Sequence, residues 1–173
     1  MKKIIGAMCL LGLFEAAQAQ DNPLWLRYPA ISPDGKTIVF SYKGDLYRMP
    51  ATGGQAYPLT LHEAHDFMPV WSHDGKSIAF ASDRYGNFDV FVMPAEGGEA
   101  KRLTYHSSND LPSDFSADDK TILFSSVRQD AFSSAQFPYG RMPEVYSVPA
   151  AGGKSVMVSS NSMELARYNK DGK

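Results

Sequence analysis

Four short segments of this chain share nearly one spelling: Ser32-Pro33-Asp34-Gly35-Lys36, Ser72-His73-Asp74-Gly75-Lys76, Ser116-Ala117-Asp118-Asp119-Lys120 and Asn169-Lys170-Asp171-Gly172-Lys173. A turn repeated at long intervals restricts the fold strongly, because each copy has to build the same local unit. The first three copies each run into a strand-like stretch, Thr37 to Tyr42, Ser77 to Ser82 and Thr121 to Ser126, with Ile-x-Phe at one offset. A second stretch follows in each, Asp45 to Pro50, Asp89 to Pro94 and Glu144 to Pro149, closed by the glycine pairs Gly53-Gly54, Gly97-Gly98 and Gly152-Gly153. The unit is therefore a set of short strands, not a helix.

Successive turn aspartates stand 40, 44 and 53 residues apart, which is the period of a four-stranded propeller blade. The expected fold is all-β, a propeller of four-stranded antiparallel blades with three complete blades and a fourth begun. The blades are placed at 24–60, 66–104 and 110–160, with the next starting in 161–173, inside a partial propeller domain spanning 20–173. In the turn itself Pro33 presets the backbone, Asp34 suits the next position, and Gly35 permits a left-handed exit. Asp119 replaces that glycine in the third copy, and an aspartate can enter the left-handed region at modest cost. Closed propellers have about 4 to 8 blades, and the last copy supplies a turn without its strand, so the expectation is a piece of a longer protein.

The amino terminus reads as an export leader over residues 1–19: Lys2 and Lys3, an apolar run from Ile4 to Phe14, and Ala17-Gln18-Ala19 as the cleavage site. That run falls short of the roughly 20 residues needed to span a bilayer. The expected location is exported, periplasmic or secreted, with no membrane attachment after cleavage. Cys9 is the only cysteine and lies within the leader; a chain without it has no disulfide scaffold and draws its stability from packed sheets. Removing Lys2, Lys3 and Glu15 from 17 basic and 19 acidic residues leaves 15 against 18. No basic stripe is left for nucleic acid or an anionic membrane.

The runs Ile38-Val39-Phe40, Ile78-Ala79-Phe80 and Ile122-Leu123-Phe124 are apolar on consecutive residues. Strands buried on both faces look like this, as strands sandwiched between neighbouring blades would be. Trp71 and Phe115, just before two of the turns, are assigned to the same packing.

Three segments, Met68-Pro69-Val70-Trp71-Ser72-His73-Asp74-Gly75-Lys76, Ser82-Asp83-Arg84-Tyr85-Gly86-Asn87 and Val92-Met93-Pro94-Ala95-Glu96-Gly97-Gly98, carry a resemblance to the propeller repeat of TolB proteins and tricorn-type peptidases. It covers nearly the whole chain after the leader. Within that group the chain looks most like the amino-terminal propeller of exported bacterial tricorn-like serine peptidases. Blades begin at once with Leu24-Trp25-Leu26-Arg27-Tyr28-Pro29, without the separate α/β domain that precedes the TolB propeller, and the third blade carries a long hairpin insertion from Gln129. The resemblance implies a longer parent with further blades, a PDZ-like domain and a serine peptidase domain. In such a parent the propeller gates or guides peptides toward a distant active site and docks other domains, and homo-oligomerisation of the full-length form is left open. A TolB-like envelope binding propeller and the propeller of another hydrolase stay as alternatives.

No Gly-x-Ser-x-Gly elbow surrounds any serine, so no catalytic residue and no cofactor are assigned. His62-Glu63-Ala64-His65 mimics a zinc helix motif, but its histidines are three apart instead of four; it is read as a polar loop. Asp83, Asn87 and Asp89 could offer oxygens to calcium but are read as turn formers, leaving no metal assignment. Asp45, Asp89 and Glu144 open the second stretch of each unit and are expected to bind backbone amides. The site candidates are Phe132, Phe137, Tyr139 and Arg141 in the insertion Ala131 to Pro143, where a loop on a rigid scaffold would contact peptides or another domain.

Overall fold

The structure, a computed structural model, describes residues 25–128, 142–161 and 163–169. The expected leader, 1–19, lies outside the described residues.

Among the described residues, twelve strands build three four-stranded antiparallel sheets, and in each sheet every strand pairs with the next along the chain. Blade 1 comprises β1 (Arg27–Ile31), β2 (Thr37–Tyr42), β3 (Asp45–Pro50) and β4 (Tyr57–Pro58). Blade 2 comprises β5 (Asp66–Trp71), β6 (Ser77–Ser82), β7 (Asp89–Pro94) and β8 (Lys101–Arg102). Blade 3 comprises β9 (Asp110–Phe115), β10 (Thr121–Ser126), β11 (Glu144–Pro149) and β12 (Val156–Ser159). The second and third strands of every blade have the bounds that the repeat implies. The architecture is an all-β propeller.

The repeated turn is held by its own side chains. In the three copies the serine hydroxyl donates to the aspartate Oδ1 at 2.6, 2.7 and 2.7 Å. The same oxygen accepts the lysine amide at 3.1, 2.9 and 3.2 Å. The serine Oγ in turn accepts the amide that opens the next strand. This local bonding replaces ladder bonds that the reversal removes. Gly35 and Gly75 take φ of 71° and 70°, and Asp119 takes 56° in the third copy.

The first strands β1, β5 and β9 lie next to one another, while the outer strands diverge. Each first strand carries a bulge at the same place, opposite or beside Phe40, Phe80 and Phe124. Tyr28 and Met68 sit there at φ of 52° and 53°, followed by Pro29 and Pro69. Proline is tolerated at a bulge because no ladder donor is required of it.

The consecutive apolar residues separate by size onto two faces. Phe80 and Phe91 of blade 2, stacked at 5.7 Å, pack with Ile78 and Met93 onto Val39 and Leu46 of blade 1. Phe124 and Tyr146 of blade 3, stacked at 5.6 Å, pack with Ile122 and Val148 onto Ala79, Val90 and Leu103 of blade 2. Blades 2 and 3 thus each set a large face on the smaller face of the blade before, and all of these side chains are buried. Phe115 joins the core at 1% exposure. Trp71 is half-buried against the first cluster, with its indole donating to the Ala30 carbonyl at 3.1 Å across the blade boundary.

Candidate functional site

The start of each first strand, the end of the second strand and the hairpin that follows it meet at one end of the blade. Here consecutive blades are joined by one backbone bond repeated in register. The Asp66 amide donates to Gly44 O at 2.7 Å, Asp110 to Phe88 O at 2.7 Å, and Met163 to Pro143 O at 2.9 Å. Asp66 and Asp110 are fully buried, and each pairs with an arginine eighteen residues on, Arg84 at 2.7 Å and Arg128 at 2.9 Å. Arg84 lies over Phe80 and Phe91, and Arg128 over Phe124 and Tyr146 at 4.9 and 4.6 Å. A buried carboxylate needs such a partner, and a guanidinium on aromatic faces is held in place to provide it.

Asp89 is also fully buried. It accepts from the Thr104 hydroxyl at 3.3 Å, and Arg102 Nη2 lies 2.7 Å from its Oδ2 but off the line of a hydrogen bond. Burial pushes its carboxyl above the ordinary aspartate range, the charge of Arg102 opposes this, and the charge of Asp110 adds to it. Asp45 does accept a backbone amide, that of His62, at 3.1 Å, along with the Thr60 hydroxyl. Glu144 instead accepts from the Tyr146 hydroxyl. The expectation of amide binding therefore needs correcting for Asp89 and Glu144. An ion pair supplied from β8 and a tyrosine two residues along β11 reach those carboxylates, which sequence position alone does not reveal.

Blade 1 departs from this pattern. Its register places Leu26 where Asp66 stands, and Tyr42 where Ser82 and Ser126 stand. Its hairpin has only Lys43 and Gly44, both at positive φ, 52° and 95°, as a tight two-residue reversal requires. A cavity of about 440 Å³ opens beside it, between blades 1 and 2. Tyr28, Phe67, Phe88 and His65 form one edge-to-face cluster in its wall, with ring centroids 4.7 to 6.1 Å apart. Trp25, 71% exposed, and Tyr42 complete the aromatic lining. Arg27 lies 4.9 Å from the Trp25 ring and Lys43 5.2 Å from Tyr42. No carboxylate lines the cavity among the described residues. Ser41, the serine in its lining, donates to the Asp66 carbonyl. Aromatic faces beside two cations are the chemistry that suits an apolar or aromatic group next to negative charge.

Phe132, Phe137, Tyr139 and Arg141 lie outside the described residues. In the segment His62 to His65, His62 Nδ1 accepts the Ala64 amide and the His65 amide donates to Asp83 Oδ1. Asn87 donates to the carbonyls of His106 and Ser108, both at 2.9 Å, so it pins the loop after β8. Among the described residues no group of three or more His, Cys, Asp or Glu is placed to hold a metal. The aromatic cavity and the arginine latches escaped sequence reasoning. The faint signal for them was Arg84 and Arg128 following the second strand in two repeats and missing from the first.

The fold recurs in solved structures. A putative TolB from Agrobacterium tumefaciens superposes with a TM-score of 0.71 at 20% identity, covering 86% of this chain and 51% of that one. TolB from Acinetobacter baumannii gives 0.62 at 25% identity, covering 84% and 35%. The tricorn protease gives 0.53 at 17% identity, covering 72% and 13%. The chain thus spans about half of the first of these structures and about a third of the second. No curated protein matches the sequence. Residues 23–173 match the model of the tricorn protease N-terminal beta propeller domain, and the chain belongs to that family.

Proposed function

We propose that this chain is the non-catalytic propeller of an exported, tricorn-like serine peptidase, where it guides peptides toward an active site elsewhere in the longer protein. The observation that carries this reading is the family match over residues 23–173. The aromatic cavity supports it. An apolar, cation-rimmed recess with no nucleophile in play is suited to holding part of a chain without cutting it. On this reading the insertion with Phe132, Phe137, Tyr139 and Arg141 contacts peptide or a neighbouring domain. Cleavage after Ala19 would deliver the protein to the periplasm or the medium.

The test uses the full-length protein. A serine-directed fluorophosphonate should label it, and it should turn over peptides. Trp25→Ala with Phe67→Ala should lower kcat/KM for long peptides several-fold and leave a short chromogenic substrate unchanged. Equal loss on both substrates would point to general damage instead of guidance. Deleting Ala131 to Pro143 with turnover and assembly unchanged would remove the role of the insertion. Amino-terminal sequencing of the mature protein should begin at Gln20.

A second reading, an envelope binding propeller without enzymatic activity, draws on the superposition with the two TolB structures over more than four-fifths of this chain. Failure of the full-length protein to react with the fluorophosphonate, together with stable capture of a protein partner, would favour it.

A further inference from the structure

Two blades leave the same three polar atoms buried without a partner among the described residues. They are Asp66 Oδ1, Ser82 Oγ and Arg84 Nε in blade 2, and Asp110 Oδ1, Ser126 Oγ and Arg128 Nε in blade 3. The aspartate and serine of each set face each other across the first and second strands, Asp66 opposite Ser82 and Asp110 opposite Ser126. Both pairs are buried, at 0% exposure for Asp66, Ser82 and Asp110 and 1% for Ser126. The other carboxylate oxygen is already taken by the arginine Nη2, at 2.7 and 2.9 Å. Native interiors leave few such atoms unpaired, since each costs stability, and the same three atoms recur in both blades.

We propose that each of these two blades binds one ordered water at this point. The arginine Nε–H donates to the water, the water donates one hydrogen to the aspartate Oδ1, and its second contact is shared with the serine Oγ. Three partners of this mixture are what a buried water requires. The charges select it over other small ligands. A metal ion would meet the guanidinium and an anion would meet the carboxylate, whereas a neutral molecule that both donates and accepts satisfies all three atoms. Blade 1 is an internal control. Leu26 and Tyr42 occupy the aspartate and serine positions and its hairpin carries no arginine, so blade 1 binds no such water and opens the aromatic cavity there instead. The water ties the start of the first strand to the loop after the second. That is the point where the Asp66 and Asp110 amides join the preceding blade.

The test is a crystal structure of the full-length protein at atomic resolution. One density peak within hydrogen-bond distance of all three atoms is expected in blade 2 and again in blade 3, and none at Leu26 and Tyr42. Serine hydroxyls donating straight to the aspartates with no peak would overturn the proposal, and so would a peak in only one of the two blades. In Ser82→Val the peak should vanish from blade 2 and persist in blade 3; persistence in both would remove Ser82 from the site. Should Ser82→Val not fold, Ser82→Ala reads the same loss.

Discussion

Asp119 shows how a departure from a repeat can do work of its own. It stands in the glycine slot of the third turn at φ 56°, and from there its carboxylate accepts the amides of His73 at 2.7 Å and Asp74 at 2.9 Å in the turn of the preceding blade. Asp119→Gly would relax the backbone but delete both bonds. The expected result is a net loss of about 1 kcal/mol in urea denaturation; a gain in stability would show that strain outweighs the bridge. The first aspartate of each turn predicts a pH response. The Ser32 hydroxyl holds the Asp34 carboxyl below its ordinary value, the Lys76 amide does so for Asp74, and the Ser116 hydroxyl takes Asp118 to about 2. With folded values depressed, the stabilisation is complete above the unfolded value near 3.8 and is lost as pH falls through the folded ones. Carboxyl NMR titration should therefore place the Asp118 midpoint near 2; a midpoint at the ordinary value would mean the turn bonds do not form. Asp89 has the opposite sign, because burial raises it. Its contribution favours the fold at low pH and fades as pH rises.

At the scale of the strand, the second strand of blade 2 is the most enclosed, with Phe80 at 0% exposure between two sheets. Phe80→Ala should cost about 3 to 5 kcal/mol, read as a lowered denaturation midpoint at unchanged slope. Arg84→Leu tests the latch. It strips the counter-ion from the buried Asp66 carboxylate and should cost about 3 to 5 kcal/mol near neutral pH. Arg84→Lys keeps the charge and should lose less; an equal loss in both variants would place the effect in packing instead of charge. These strands were legible from the sequence because Ile-x-Phe and the flanking turns are local signals. The bulges at Tyr28 and Met68 and the Asp66–Arg84 pair were not, since they depend on register between strands that only folding brings together.

For the whole chain, burial is uneven: β6 and β7 are covered on both faces, while β1 and β12 are mostly exposed. Amide hydrogen exchange of this chain should be slowest in β6 and β7 and fastest in β1 and β12; uniform protection would contradict the stacking order described here. The same unevenness explains what could be read in advance about function. The insertion with Phe132, Phe137, Tyr139 and Arg141 is legible because its aromatics fall within one short window of sequence. The aromatic cavity gathers Trp25, Tyr42, His65, Phe67 and Phe88 from four separate stretches along two blades, so no short window of sequence contains it. The repeat by itself determined that the chain is a propeller of four-stranded blades, where each blade turns, and which residues fill its core, because those properties follow from turn chemistry and short runs of consecutive apolar residues. Only the tertiary structure decided which blade sets its large face on which neighbour, how the buried carboxylates are paired, and that blade 1 exchanges the Asp–Ser–Arg set for an open aromatic recess. Those outcomes rest on contacts between strands tens of residues apart, where burial and charge are settled by neighbours that the sequence does not list side by side.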